Sequence, residues 1–186
     1  KWEEAGCLDS IGLIHFKLKD YNKALEFCSE ALSISQSVKD RKGESNALFH
    51  LGNIYEELTN YNKASDYCNT SLSIRQEIED KKGQAEIILF LAELHLKENV
   101  TGQLQKNIFE LLDKALQLGE DINSLDLLAK IHLGYYEACK HYNSYQEALT
   151  HIETYISISR KVHTDSLNQK IQNLEISHRV EKSRKE

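Results

Sequence analysis

Four cysteines and eight histidines are the side chains of this 186-residue sequence best suited to chemistry. Cys28 and Cys68 stand forty positions apart, each on a stripe of apolar residues at helical spacing. Free cysteine is among the most buried residue types, so the pair reads as two small core hydrophobes. No C-x-x-C spacing indicates a zinc site or a thioredoxin-like motif. Two of the histidines, His15 and His95, share one register with Tyr55, and no H-x-x-x-H or H-E-x-x-H spacing accompanies them. No metal is expected. The sequence also lacks a serine or cysteine nucleophile motif, a Gly-rich phosphate loop and an EF-hand pattern. Glu56 and Glu57 are adjacent, so on a helix they point about 100° apart and cannot face each other as a catalytic dyad. The residues therefore predict no catalysis and no cofactor.

What positions these residues is a repeat. Leu8–Gly43 returns as Leu48–Gly83, with 16 of the 36 paired positions identical. Gly12 meets Gly52, Tyr21-Asn22-Lys23-Ala24 meets Tyr61-Asn62-Lys63-Ala64, and Cys28 meets Cys68. Self-similarity at a period of 20–50 residues marks a solenoid array. Each unit reads as two helices. In the first, Leu8, Ile11, Gly12, Ile14, His15 and Leu18 make one broad inward face, and Ala24, Phe27, Cys28, Ala31, Leu32 and Val38 make another. Gly12 and Gly52 sit inside helices, where glycine costs roughly 1 kcal/mol relative to alanine, so a packing reason is expected. Lys42-Gly43 is expected to end the unit, with glycine just past a helix end. Neighbouring repeats stack at about 8–10 Å, which keeps Cys28 and Cys68 from forming a disulfide.

A third unit follows with Ile88, Leu91-Ala92, His95, Ile108, Leu112 and Ala115, after a longer turn near Glu98–Gln103 that contains Gly102. A fourth spans about 124–164, with Leu128, Ile131, Gly134, Tyr135 and Ala138, then Tyr145, Ala148, Ile152 and Ile156. Its register is open by two positions, because Gly134 to Ala148 is longer than Gly52 to Ala64. From Asp165 the pattern changes to Leu167, Ile171, Leu174 and His178, with Ile176 and Val180 beside them. The expected organisation is an array over 1–164 (repeats about 1–42, 43–82, 83–123 and 124–164) and a capping or exit helix over 165–186. That helix could start a coiled-coil linker.

The pattern of large apolar residue, Leu-Gly, aromatic, alanine, aromatic, alanine is similar to the tetratricopeptide repeat. It maps to Leu48, Leu51-Gly52, Tyr55, Ala64, Cys68 and Ser71, and to Leu8, Ile11-Gly12, His15, Ala24, Cys28 and Ala31. Gln36 and Gln76 replace the family's late proline, and the period is about 40 rather than 34. This resembles the long-helix subclass of peptide-regulated bacterial regulators and polarity scaffolds. The resemblance implies an all-α fold, an α-α superhelix of about four helix-turn-helix repeats whose first helices line a groove. Its groove positions are Asp9, Leu13 and Phe16; Asn46, Phe49, His50, Asn53 and Glu56; and Glu86, Phe90 and Glu93. The chaperone-binding members grip a C-terminal carboxylate with basic residues and asparagines. Here those positions hold Asp9, Leu13, Glu86 and Phe90, and only Asn53 fits, so that clamp is absent.

An acidic groove with aromatic anchors and two asparagines implies a basic or amphipathic peptide or protein partner. The net charge of −6 argues against nucleic acid. No apolar run approaches 18–20 residues, so no membrane span is expected. Free thiols suit a reduced, cytoplasmic compartment. The tail around His178 is similar to a sensor-kinase phosphoacceptor helix but lacks the acidic residue and the proline that accompany that histidine. The whole tail resembles the exit helix of bacterial tetratricopeptide proteins that precedes a cyclase, diguanylate cyclase, kinase or phosphatase. The chain is therefore expected to be the input region of a larger bacterial signalling protein, with a possible dimer through its C-terminal helix. The alternatives are a stand-alone quorum-sensing-type peptide regulator and a passive assembly scaffold.

Overall fold

The computed structural model describes residues 2–98 and 103–183. Among them it contains eight helices and no strand: α1 (Trp2–Lys17), α2 (Tyr21–Ser37), α3 (Arg41–Glu57), α4 (Tyr61–Glu77), α5 (Lys81–Lys97), α6 (Gln103–Asp121), α7 (Leu125–His141) and α8 (Tyr145–Ser183). The fold is the all-α helical repeat that the sequence predicts. Gly102 and most of the expected long third turn lie outside the described residues.

The first four turns are copies of one device. Lys19, Lys39, Thr59 and Glu79 take left-handed conformations with φ of 60°, 59°, 57° and 55°. The amide of the next residue reaches back to the preceding helix, as Asp20 does to the His15 carbonyl at 2.9 Å and Asp40 to that of Ser35 at 2.9 Å. This is the six-to-one bond of a Schellman ending. The same residue then caps the next helix: Asp20, Asp40, Asn60 and Asp80 accept from the amides of Lys23, Gly43, Lys63 and Gly83. Every turn amide is in use, which explains why a chain without proline suits this architecture. It also corrects the expected helix end. Gly43 and Gly83 lie in the first turns of α3 and α5, while lysine and glutamate take the left-handed position usually held by glycine.

Two compact units are formed, residues 1–122 and 123–186. In the first unit, small residues of one repeat's second helix receive large residues of the next repeat's first helix. Ala24 and Cys28 pack with Leu51 and Ile54, and Ala64 and Cys68 pack with Ile87, Phe90, Leu91 and Leu94. The inward face expected of α1 is realised only in part, with Gly12 buried and Leu8 and His15 half-buried. Ile11, Ile14 and Leu18 are exposed, although Leu51 and Ile54 at the equivalent positions of α3 are buried.

In the second unit Ile131, Tyr135, Ala138 and Cys139 of α7 are buried, as is Ala148 of α8, whereas Tyr145 and Ile156 are exposed. The fourth repeat carries no insertion. Asn143 takes the left-handed turn position, and Ser144 returns its amide to the Cys139 carbonyl at 2.8 Å. First helices begin at Arg41 and Lys81, forty apart, and then at Leu125, forty-four further on. The added residues thus lie within the third repeat, and Gly134 stands at the level of His50 rather than of Gly52. The change of pattern at Asp165 produces no break: α8 is one helix of 39 residues.

Candidate functional site

The residues expected to line a groove lie on α1, α3 and α5, and polar and aromatic contacts tie these three helices together. Between α1 and α3, Asp9 meets His50 Nδ1 at 2.8 Å. Between α3 and α5, Lys97 donates to Glu56 at 2.5 Å, and Phe49 meets Phe90 edge-on with ring centroids 5.5 Å apart. Glu57, next to Glu56, instead accepts from the Tyr21 hydroxyl at 3.2 Å. Adjacent carboxylates therefore serve different neighbours, as their helical divergence requires.

The individual side chains differ in what they leave for a ligand. Phe90 is buried in the core, while Phe49 is half-buried against it. Phe16 is half-buried against the preceding core and tilted on Tyr21. Leu13 and Glu86 are half-buried and Glu93 is exposed. Asn53 spends its amide N–H on the Phe49 carbonyl at 2.7 Å, one turn back on its own helix. Asn46 accepts from Arg75. The asparagines are thus partly engaged before any ligand arrives.

Arg75 is the residue that the sequence reading passed over. It is 7% exposed, on α4. Its Nε donates to Ser45 Oγ at 2.7 Å, and its two terminal nitrogens donate to Asp80 and Asn46. Ser45 also pairs with Ser71, hydroxyl to hydroxyl, at 2.8 Å. A buried guanidinium needs such a complete set of partners. Burial pushes the Asp80 carboxyl up, but the Gly83 amide and the Arg75 guanidinium together hold it below the usual range. Gly83 makes room for this arrangement, since a Cβ there would come within 2.7 Å of the Arg75 side chain. A charged residue at a core-facing position was the available signal.

The titratable core is quiet. Cys28, Cys68 and Cys139 are buried, free thiols, and Cys7 is exposed. Burial, reinforced by the charges of Asp9 and Glu56, pushes the Cys28 and Cys68 thiols up to about 12. They are therefore thiols rather than nucleophiles at neutral pH. His15 stacks on Phe27 at 5.4 Å as Tyr55 stacks on Tyr67 at 5.4 Å, so its aromatic register is architectural. His178 lies among residues whose side chains are outside the described set. Among the described residues no three histidines, cysteines or carboxylates form a metal cluster, and no helix is long and apolar enough to cross a membrane.

No curated protein matches this sequence. Among solved structures, the chain is similar to BtubC (BKLC) from P. vanneervenii, with a TM-score of 0.72 and 16% identity over 86% of this chain and 64% of that one. It is also similar to the apo form of RapI, with a TM-score of 0.72 and 15% identity over 87% of this chain and 57% of that one. A Rap protein complexed with competence and sporulation factor has a TM-score of 0.59 and 16% identity over 84% of this chain and 52% of that one. The chain spans less than two thirds of each of these relatives. At such identities they share its fold, while residues 4–77 match the tetratricopeptide repeat family itself. The matched segment holds the repeated helix pairs α1–α4 and the small-to-large packing between them, so residues 4–77 are similar to the tetratricopeptide repeat family.

Proposed function

We propose that this chain is a non-catalytic peptide- or protein-binding module, and that its ligand is a basic or amphipathic segment lying along α1, α3 and α5. The observation that carries this reading is the face of those helices. Those helices carry Asp9, Glu56, Glu86 and Glu93 and the half-buried Phe49, with Asp9 hydrogen-bonded to His50 and Glu56 paired with Lys97. A chain carrying lysine or arginine beside an apolar anchor is complementary to that face. Asn53 uses its amide N–H on the Phe49 carbonyl, and its side-chain oxygen is the acceptor this reading assigns to a peptide amide.

The module would serve as the input region of a cytoplasmic signalling protein, with α8 carrying the state of the array to an output domain. Binding shifts such an output only if two states of the array differ in affinity for the ligand. The similarity to RapI and to a Rap protein complexed with competence and sporulation factor favours a second reading, a peptide-responsive regulator of its own. The full-length gene separates the two, by a catalytic domain after the array in the first case and none in the second.

Titration of a fluorescein-labelled Lys/Leu amphipathic peptide, read by anisotropy, tests the binding face. Saturable binding is expected, weakened about fivefold or more by Asn53→Ala, which corresponds to the loss of roughly 1 kcal/mol for one hydrogen bond. Negligible binding to both proteins removes the peptide-receptor reading.

A further inference from the structure

The two strict repeats differ sharply in size and charge at one of their buried positions, and a cavity lies beside it in the first. Ser35 of α2 stands where Arg75 stands in α4, forty residues on. Around Arg75 the partners are Ser45, Asn46 and Asp80, with Gly83 beneath the side chain. Around Ser35 the same positions hold Ala5, Gly6, Asp40 and Gly43, and these residues line a cavity of about 190 Å³. The serine and the two smaller residues on α1 have removed the internal occupant together with the groups that wrapped it.

The acid that receives the guanidinium has been kept. Asp40 Oδ1 accepts from the Gly43 amide at 2.9 Å, as Asp80 Oδ1 accepts from Gly83 at 3.0 Å. The other oxygen of Asp80 takes Arg75. The other oxygen of Asp40 has no partner among the described residues. Ser35 is 1% exposed and lines the cavity, and its hydroxyl makes no hydrogen bond there either. Ala31 and, from α1 and α3, Asp9 and Asn46 line it too, so the cavity adjoins the surface assigned to the ligand. Lys42 also lines it. Lys82 occupies the corresponding place in the next repeat and does not keep Arg75 out.

We propose that this cavity receives the guanidinium of an arginine side chain carried by the ligand peptide, taking from outside the group that Arg75 supplies from within one repeat later. The proposal rests on the peptide-binding reading and names the ligand's anchoring residue. Arginine is preferred to lysine because the planar fork can bond Asp40 and the Ser35 hydroxyl together, whereas an ammonium is a point charge.

The test is a proton–nitrogen NMR titration of the full chain with the capped tripeptide acetyl-Gly-Arg-Gly-amide, following the Gly43 and Asn46 amides. Saturable shifts are expected with a dissociation constant of roughly millimolar order, and none with the citrulline tripeptide, which has the shape without the charge. Asp40→Asn keeps an N-cap acceptor, as Asn60 does in the next turn, and is expected to weaken binding about tenfold or more. Ser35→Arg fills the cavity from within and is expected to abolish the response. The proposal is overturned if the arginine tripeptide does not saturate, if citrulline does as well, or if both variants bind like the parent. Binding of free L-arginine without the capped tripeptide would also overturn it, in favour of a metabolite site. If the tripeptide fails while the longer labelled peptide still binds in an Asn53-dependent way, the arginine pocket alone is refuted.

Discussion

Gly52 shows how a single absent atom sets the spacing between helices. A Cβ added there would meet Cys68 Sγ at 2.5 Å, and one at Gly12 would meet Cys28 Sγ at 2.5 Å. Helix propensity alone would favour alanine at either site by roughly 1 kcal/mol. Overpacking against a buried sulfur costs about 1–3 kcal/mol, so with that gain set against it Gly52→Ala is expected to destabilise the protein by up to about 2 kcal/mol. Removing the sulfur should remove the conflict. In a Cys68→Ala background the same substitution is expected to be neutral to stabilising, by up to about 1 kcal/mol, a coupling that a denaturant-melt double-mutant cycle measures. Additive effects would show that the clash is relieved elsewhere. This Gly–Cys pairing was legible in the sequence, because both members recur at a fixed offset. Arg75 was not, because its partners Asp80 and Asn46 approach from α5's cap and from α3, and only the fold brings them together.

At the level of helices and turns, the twenty-residue unit was only half legible. Asp20, Asp40, Asn60 and Asp80 recur at a fixed spacing, but the expected unit end at Lys42-Gly43 hid their role as caps, and the left-handed turn residues Lys19, Lys39, Thr59 and Glu79 carry no glycine to mark them. Backbone bonding on both sides of each turn sets that conformation, which at non-glycine residues costs roughly 1–2 kcal/mol. The α7–α8 pair offers a test through its histidines. His151 lies 3.0 Å from His132, Nδ1 to Nδ1, and stacks on Tyr135 at 4.4 Å. Burial holds its pKa below the ordinary 6.5, with Glu147 opposing the shift. The unfolded chain therefore binds more protons than the folded one between that depressed value and 6.5, and stability rises with pH across this window. Acidifying from about pH 7.5 to about pH 5.5 is expected to lower the thermal midpoint of the parent protein more than that of His151→Phe. Equal losses would assign the acid sensitivity to other groups.

Over the whole molecule, the open feature is the length of α8. Its 39 residues span roughly 58 Å at 1.5 Å per residue, more than twice the length of the 17-residue α7 with which it pairs. Residues 163–170 are exposed, and Leu167 is 51% exposed. An isolated helix of about 12–15 residues is marginal in water, so an extension of this kind calls for a partner along its apolar stripe. In the sequence, Leu167, Ile171 and Leu174 follow the 4-3 spacing of a two-stranded seam. A second copy of the same helix satisfies that spacing without any further component, and it would bring two arrays to one output. Sedimentation equilibrium of the full chain is therefore expected to show a concentration-dependent dimer, and the chain cut after residue 166 a monomer. Circular dichroism of the same pair should show the full chain gaining helix with concentration while the truncated one does not. A monomer in both cases would leave α8 as a single strut and make rotation within one chain, rather than pairing between two, the route from the binding face to the output.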